Sequence, residues 1–226
     1  MSQAGPSEVE RTFLIADLSG YTALTESHGG VEAAKIVSRF VTLAEEALAP
    51  GASLFERVGD EILIVATAAA AGARTAVRLR DAVEREPLFP TVRTGVHVGA
   101  VHENGGRYFG AALNLTARLA GHARSGQILC TELIATAVAQ DPQLHCDLVE
   151  TVRLRNVAEP VRVFELSTPG TRREHAAIDP VCRMQVRSAT APARLPFRGA
   201  TFYFCSFDCA KTFAWHPERY VDTGTR

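Results

Sequence analysis

Asp17 in F-L-I-A-D-L-S-G-Y-T and Asp60 in F-E-R-V-G-D-E-I-L-I-V are carboxylates set close to glycines, and Asn114 and Arg118 follow one helical turn apart in Y-F-G-A-A-L-N-L-T-A-R-L-A. Hard divalent cations take oxygen ligands, and charge that develops at phosphorus needs a cationic, hydrogen-bonding cover. Together the four residues point to a site for a metal-bound polyphosphate. The Leu18 carbonyl would add an oxygen ligand, and the amides of Ser19, Gly20, Tyr21 and Thr22, at a helix N-terminus, would receive the phosphates. Taken singly, each residue has a plainer reading: an aspartate beside Ser or Gly caps the next element, and an Asn/Arg pair at i, i+4 lies on a helix surface. The small and apolar neighbours of Arg118 predict partial burial, and a buried arginine asks for an anion.

A second cluster lies near the C-terminus. Cys182, Cys205 and Cys209, spaced C-x22-C-x3-C with His216 nearby, suit a soft thiolate site for Cu(I) or Zn²⁺. The alternative is that they are small buried hydrophobes in a mini-core with Phe202, Phe204, Phe213 and Trp215. Cys130 and Cys146 read as core, and His28 and His97 as turn or packing residues.

The elements that must position these groups follow from periodicity. Thr12 to Ala16 is an apolar run feeding a Ser19-Gly20 turn, and from Tyr21 to about Leu48 apolar residues recur at helical spacing until Pro50-Gly51. Ser53 to Arg57 and Glu61 to Ala66 form a hairpin through Gly59-Asp60, with Glu56 and Val58 on one face and Arg57 on the other. The alanine-rich stretch Thr67 to Glu86 predicts an exposed amphipathic helix. Thr91 to Val101 is a strand whose two glycines predict close backbone approach, and Gly105-Gly106 turns the chain toward Arg107. A helix over 111–123, a short strand and helix over 127–140, and strands over 145–154 and 161–166 complete an α+β sandwich with a mostly antiparallel sheet, not a Rossmann fold.

Residues 167–177, S-T-P-G-T-R-R-E-H-A-A, read as a linker, and 178–221 as a module too small to bury a generous core, which would benefit from a metal or from docking onto a partner. A formal charge of −1 argues against nucleic acid as a partner. No uninterrupted apolar stretch reaches membrane-spanning length and the N-terminus lacks signal-peptide character, so a cytoplasmic protein without membrane insertion is expected.

The motifs F-L-I-A-D-L-S-G-Y-T, F-E-R-V-G-D, T-G-V-H-V-G, G-R-Y-F-G-A-A-L-N-L-T-A-R-L-A and L-R-N-V-A-E-P-V-R-V-F-E-L, in this order, resemble the catalytic domain of class III adenylate/guanylate cyclases over residues 10–166. The resemblance implies a ferredoxin-like cyclase sandwich and a head-to-tail homodimer with two composite sites. One protomer would supply Asp17, the Leu18 carbonyl and Asp60 to two Mg²⁺ or Mn²⁺ ions. The other would supply Glu56, Arg107, Asn114 and Arg118. Asn114 would orient the ribose, Arg118 would stabilise the transition state, and Arg155 would contact phosphate.

Glu56 and Arg107 depart from the lysine and aspartate that read adenine in this family. Glu56 can accept from N1–H and the 2-amino group of guanine while Arg107 donates to O6 or N7, which slightly favours GTP over ATP as the purine nucleoside triphosphate. The competing expectation is a Glu56–Arg107 pair facing one pocket in a catalytically silent dimer that acts as a nucleotide- or heavy-metal-responsive regulator. D-P-V-C-x-M and Y-F-C-S-x-x-C make 178–221 resemble a YHS domain, which implies metal binding and metal regulation of the cyclase.

Overall fold

The computed structural model describes residues 7–170 and 176–221, so the centre of the expected linker, residues 171–175, lies outside the described residues. The first strand, β1 (Ser7–Leu18), is longer than its apolar run. It pairs along its whole length with β4 (Val92–Asn104) and from Thr12 to Asp17 with β3 (Glu61–Ala66), antiparallel in both cases. A strand flanked on both sides and covered on both faces has no solvent face to make polar, which is why Phe13 to Ala16 is continuously apolar.

The hairpin of β2 (Ala52–Val58) and β3 closes through Gly59 and Asp60 as expected. Helix α1 (Tyr21–Ala47) carries one break: Gly29, at φ 81° and ψ 164°, separates Tyr21–His28 from the rest. Then come α2 (Ala69–Arg85), β5 (Arg107–Phe109), α3 (Ala111–His122), β6 (Ile128–Thr131), α4 (Glu132–Val138), β7 (His145–Val152) and β8 (Val161–Ser167). The sheet runs β2-β3-β1-β4-β6-β8-β7 with β5 paired to β4, and only β4–β6 is parallel. The α+β sandwich with a mostly antiparallel sheet is therefore the observed fold.

Alternation along the strands divides the core. Leu14, Ala16, Leu18, Ile62 and Ile64 pack in one cluster with α1, α2 and α4, while Phe13, Val65 and Val101 pack with Ala112 of α3 on the other face. The expectation of an exposed α2 is corrected: Ala71, Ala73, Ala76, Leu79, Arg80 and Val83 are all buried. Alanines let α2 approach both α1 and the sheet, and the Arg80 guanidinium keeps partners in Asp81 (2.6 Å) and the Leu166 carbonyl (3.4 Å). Close approach at the β4 glycines is also found. A Cβ on Gly95 would lie 2.4 Å from the Thr116 carbonyl oxygen and 2.5 Å from the Ala120 nitrogen, both backbone atoms of α3.

The C-terminal module comprises β9 (Ala177–Ile178), β10 (Gln185–Val186), β11 (Ala193–Phe197), β12 (Ala200–Phe204) and α5 (Phe207–Trp215). Its small size called for a docking partner, and the N-terminal domain is that partner. Val181, Met184, Phe204 and Phe213 join the cluster that holds Leu24 and Phe40. The Gln185 N–H donates to the Phe89 carbonyl at 2.9 Å, its side-chain amide to Val83 and Phe89 carbonyls, and Met184 bridges Pro90.

Gly95→Ala should destabilise the fold by about 1–3 kcal/mol, because backbone on both elements must separate; a chemical-denaturation midpoint equal to that of the unaltered protein would contradict this close approach. His97 is buried with its Nδ1 2.9 Å from the Thr131 hydroxyl, and burial lowers its pKa to about 4. The unfolded chain then binds a proton that the folded chain refuses. Stability is fully present above about pH 6.5 and falls toward pH 4, by at most about 3 kcal/mol. Urea unfolding across this range should show that fall in the parent protein and a flatter profile in His97→Gln.

Candidate functional site

Asp17 lies at the C-terminal end of β1, where the register sets it opposite Glu61 on β3 and Arg93 on β4. The Leu18 N–H donates to the Asp60 carbonyl at 3.4 Å, which brings the hairpin turn to the strand end and Asp60 within reach of the Asp17 charge. Partial burial and then the Asp17 charge raise the pKa of Asp60, and the same two causes, with Asp60 added, raise that of Glu61. Three carboxylates thus share one cation, Arg93, whose Nε donates to Asp17 Oδ2 at 2.6 Å. A surplus of negative charge where a strand end meets a turn suits a divalent ion. Beside it, the Ser19 hydroxyl is buried without a hydrogen-bond partner.

Gly20, at φ 83°, turns the chain into α1. One detail of the sequence reading is corrected here: the Ser19 N–H already donates to the Thr91 carbonyl at 2.8 Å, so that amide is not free for phosphate. Tyr21 and Thr22 open the first turn of α1, where amides have no intrahelical acceptor.

The remaining expected site residues do not reach this pair within one chain. Glu56, Arg107, Asn114, Arg118 and Arg155 are exposed, and the charges that act on Asp60 are those of Asp17 and Arg93. The partial burial expected for Arg118 is not observed; Leu119 turns into the core while Arg118 faces out. Glu56 and Arg107 form no ion pair among the described residues. The Tyr108 ring packs 5.1 Å from Phe55 and 5.6 Å from Phe13, and successive strand residues point to opposite faces. Arg107 is therefore directed away from the side Tyr108 occupies. Two open clefts, of about 390 and about 450 Å³, are lined by none of these residues.

The three cysteines of the C-terminal module do converge. Cys182 Sγ lies 3.4 Å from Cys205 Sγ, which lies 3.6 Å from Cys209 Sγ. His216 is not with them: it is exposed, with Glu218 at 3.6 Å. The histidine at the cluster is His28 of α1, with Nε2 at 3.5 Å from Cys205 Sγ and 3.7 Å from Cys209 Sγ. Hydrogen bonds from the Cys182 and Cys205 thiols push Cys209 down to about 2, while its thiol–thiol bonds and burial push Cys182 up. The mini-core also forms, with Phe204 and Phe213 buried, but Trp215 is 72% exposed and stays out of it.

Asp179 organises this cluster. Its buried carboxylate accepts from the Val181 and Cys205 amides, both at 2.8 Å, and from the Cys182 amide at 3.4 Å, tying both cysteine-bearing segments to one group.

Comparison with known proteins shows what each part of the chain is similar to. Residues 177–223 match the YHS domain family. Over 170 residues the chain is 28% identical to a pH-sensitive adenylate cyclase of Mycobacterium tuberculosis, covering 74% of this chain and 43% of that protein. It is 36% identical over 115 residues to an adenylate cyclase of Streptomyces griseus, covering 50% and 29%. Among solved structures, the adenylyl cyclase CyaB of P. aeruginosa superposes with a TM-score of 0.62 at 16% identity, covering 75% of this chain and 98% of that one. The guanylyl cyclase Cya2 gives 0.63 at 21%, with coverage of 75% and 98%. The chain joins a class III cyclase fold to a YHS domain. It spans less than half the length of these curated relatives.

Arg93 and Asp179 were not singled out from the sequence, and the reading of His28 as a turn or packing residue is corrected by its place at the three thiols. Arg93 could have been found by pairing the charged ends of two adjacent strands. Asp179 stands in the D-P-V-C motif as an Asx-type acceptor for the amides that follow it. His28 precedes Gly29-Gly30, a helix break inside an otherwise periodic run. Asp179→Ala should cost about 3 kcal/mol or more, since it strands buried amide donors in the YHS domain. Thermal unfolding and faster reaction of the three thiols with a colorimetric thiol reagent would register it, and Asp179→Asn should fall between.

Proposed function

We propose that the cyclase-type domain converts a purine nucleoside triphosphate to the cyclic 3′,5′-monophosphate and pyrophosphate at sites shared between two copies of the chain. The observation that carries this reading is the Leu18–Asp60 backbone hydrogen bond that brings the Asp17 and Asp60 ends together beside the unpartnered, buried Ser19 hydroxyl. Two divalent ions held by Asp17, Asp60 and the Leu18 carbonyl would supply Lewis-acid activation of the ribose 3′-hydroxyl and neutralise the triphosphate. The chain's own groups do the rest. The first-turn amides from Gly20 to Thr22 bind phosphate, Asn114 holds the ribose, Arg118 covers the charge that develops at the α-phosphorus, and Arg155 contacts the polyphosphate.

The exposure of Asn114 and Arg118, with Arg118 not among the charges that act on Asp60, supports a homodimer in which a second copy places the arginine over a phosphate bound at Asp17. Unpaired Glu56 supports GTP slightly over ATP, although the named curated relatives are adenylate cyclases. The YHS domain would set the activity through a bound metal.

One observation favours a silent regulator instead: Arg93 occupies an oxygen of Asp17. Turnover separates the two readings. Purified protein with Mg²⁺ or Mn²⁺ should release pyrophosphate and cyclic nucleotide, faster from GTP. Asp17→Ala and Arg118→Ala should each lose at least 100-fold. Mixed in equal amounts, they should recover up to about a quarter of the parent rate, since half of randomly assorted dimers carry one intact site of two. No recovery on mixing would sink the shared-site reading, and no product from either nucleotide would sink the enzyme.

A further inference from the structure

Among the described residues, His28 is the one histidine that meets the three YHS cysteines, and it belongs to the other domain. The donor atoms of His28, Cys182, Cys205 and Cys209 all lie within 4.8 Å of one another, and the three cysteines are buried. Their spacing has chemical meaning. Zinc bonds of about 2.3 Å to sulfur and about 2.0–2.1 Å to nitrogen, at tetrahedral angles, put neighbouring donors about 3.5–3.8 Å apart. The sulfur–sulfur separations of 3.4 and 3.6 Å and the sulfur–nitrogen separations of 3.5 and 3.7 Å fall at or close to those edges. They are far too long for disulfide bonds, and all three thiols are free. Three thiolates and one imidazole form a closed Cys₃His set, the donor set of structural zinc; without the imidazole the cysteines alone would suit Cu(I) better.

The position of His28 makes this site more than a staple within the YHS domain. Gly29 breaks α1 immediately after it, so Tyr21–His28 is a short helical segment with the Ser19-Gly20 turn at one end and the imidazole at the other. A second contact ties the same module to that turn. The stem of Arg183, the residue after Cys182, packs against Gly20 so closely that a Cβ on Gly20 would lie 2.4 Å from its Cβ and Cγ. A backbone path runs in parallel: Gln185 donates to Phe89, Met184 bridges Pro90, and the Thr91 carbonyl takes the Ser19 N–H.

We propose that His28 is the fourth ligand of an interdomain Cys₃His zinc site, and that the bound ion clamps the YHS domain onto the Tyr21–His28 segment, fixing the phosphate-binding turn at its far end. The functional half of this inference rests on the proposed role of Gly20–Thr22; the ligand assignment does not. Metal loss frees the segment at His28, loosens the Arg183–Gly20 contact and leaves the turn disordered, so zinc acts as a permissive cofactor for the nucleotide site.

The test uses the full chain, stripped of metal under reducing conditions and reloaded with Zn²⁺ or Co²⁺. The parent should retain one zinc per chain by mass spectrometry, and its cobalt form should show thiolate charge-transfer and tetrahedral ligand-field bands. His28→Ala should bind zinc at least tenfold more weakly in chelator competition, since even outer-shell partners of a ligand are worth 10–100-fold. It should also lose zinc-dependent protection of the 21–28 amides from hydrogen exchange. His28→Cys, which restores a fourth soft ligand, should recover both. Equal zinc affinity and equal protection in the parent and His28→Ala would overturn the clamp while leaving metal binding by the YHS domain intact. A parent that retains no zinc, or retains only Cu(I) independently of His28, would overturn it as well. Absence of nucleotide turnover in a zinc-loaded, protected protein would remove the cyclase reading and leave the clamp standing.

Discussion

The antiparallel ladder between β1 and β4 is the constraint on which both candidate sites depend. Every residue of β1 from Ser7 to Leu18 has a partner on β4, and near the end of that run Asp17 stands opposite Arg93. A slip of one residue would turn Asp17 to the α1 side and Leu18, now buried, toward the opposite face. The ladder continues past the strand end as the Ser19–Thr91 hydrogen bond, and the segment just before Thr91 is where the YHS domain is stitched on through Met184 and Gln185. Register in one strand pair therefore sets the position of the carboxylates, the Ser19-Gly20 turn and the YHS domain at once.

The carboxylate end of that ladder is electrostatically unfinished. Partial burial and the Asp17 charge raise the pKa of Asp60, burial with the charges of Asp17 and Asp60 raises that of Glu61, and Arg93 opposes both shifts. Like charges brought together by folding cost stability unless something cationic joins them. The fold tolerates the cost because long-range packing of Phe13, Leu14 and Ile62 fixes the backbone regardless of what the strand ends carry. That arrangement suits a cation-binding end: the scaffold is stable without the ion, and the ion gains from repulsion already built in.

Most of the architecture was legible in the sequence because its signals were local. The hairpin at Gly59-Asp60, the glycine-permitted approach at Gly95 and the long α1 all follow from a few adjacent residues. What could not be read was which distant residues share a place. Arg118 looked buried because its neighbours are small and apolar, yet on α3 those neighbours turn inward and leave it outside. His216 seemed the natural fourth ligand because it is seven residues from Cys209, whereas His28, 177 residues before Cys205, is the one that arrives. Sequence proximity favours partners on the same module, but a module without a full core of its own takes both its packing and its last ligand from the surface it docks on.

The segment Tyr21–His28 then has two masters, and thermodynamics ties them. If zinc bound at His28 favours the arrangement of the Ser19-Gly20 turn that accepts phosphate, nucleotide bound at that turn must favour zinc by the same factor. Neither ligand can shift the segment by more than its difference in affinity for the clamped and released states. The clamped state is already held by the Arg183–Gly20 contact and the Gln185–Phe89 hydrogen bonds, so zinc works on a small remaining gap and not on the whole interdomain interface. Such a coupling is strongest when the released state is well populated without metal. The break at Gly29 provides for this, because it lets the first two turns of α1 move without unwinding the buried stretch from Ala33 to Ala47 that anchors the helix to the core.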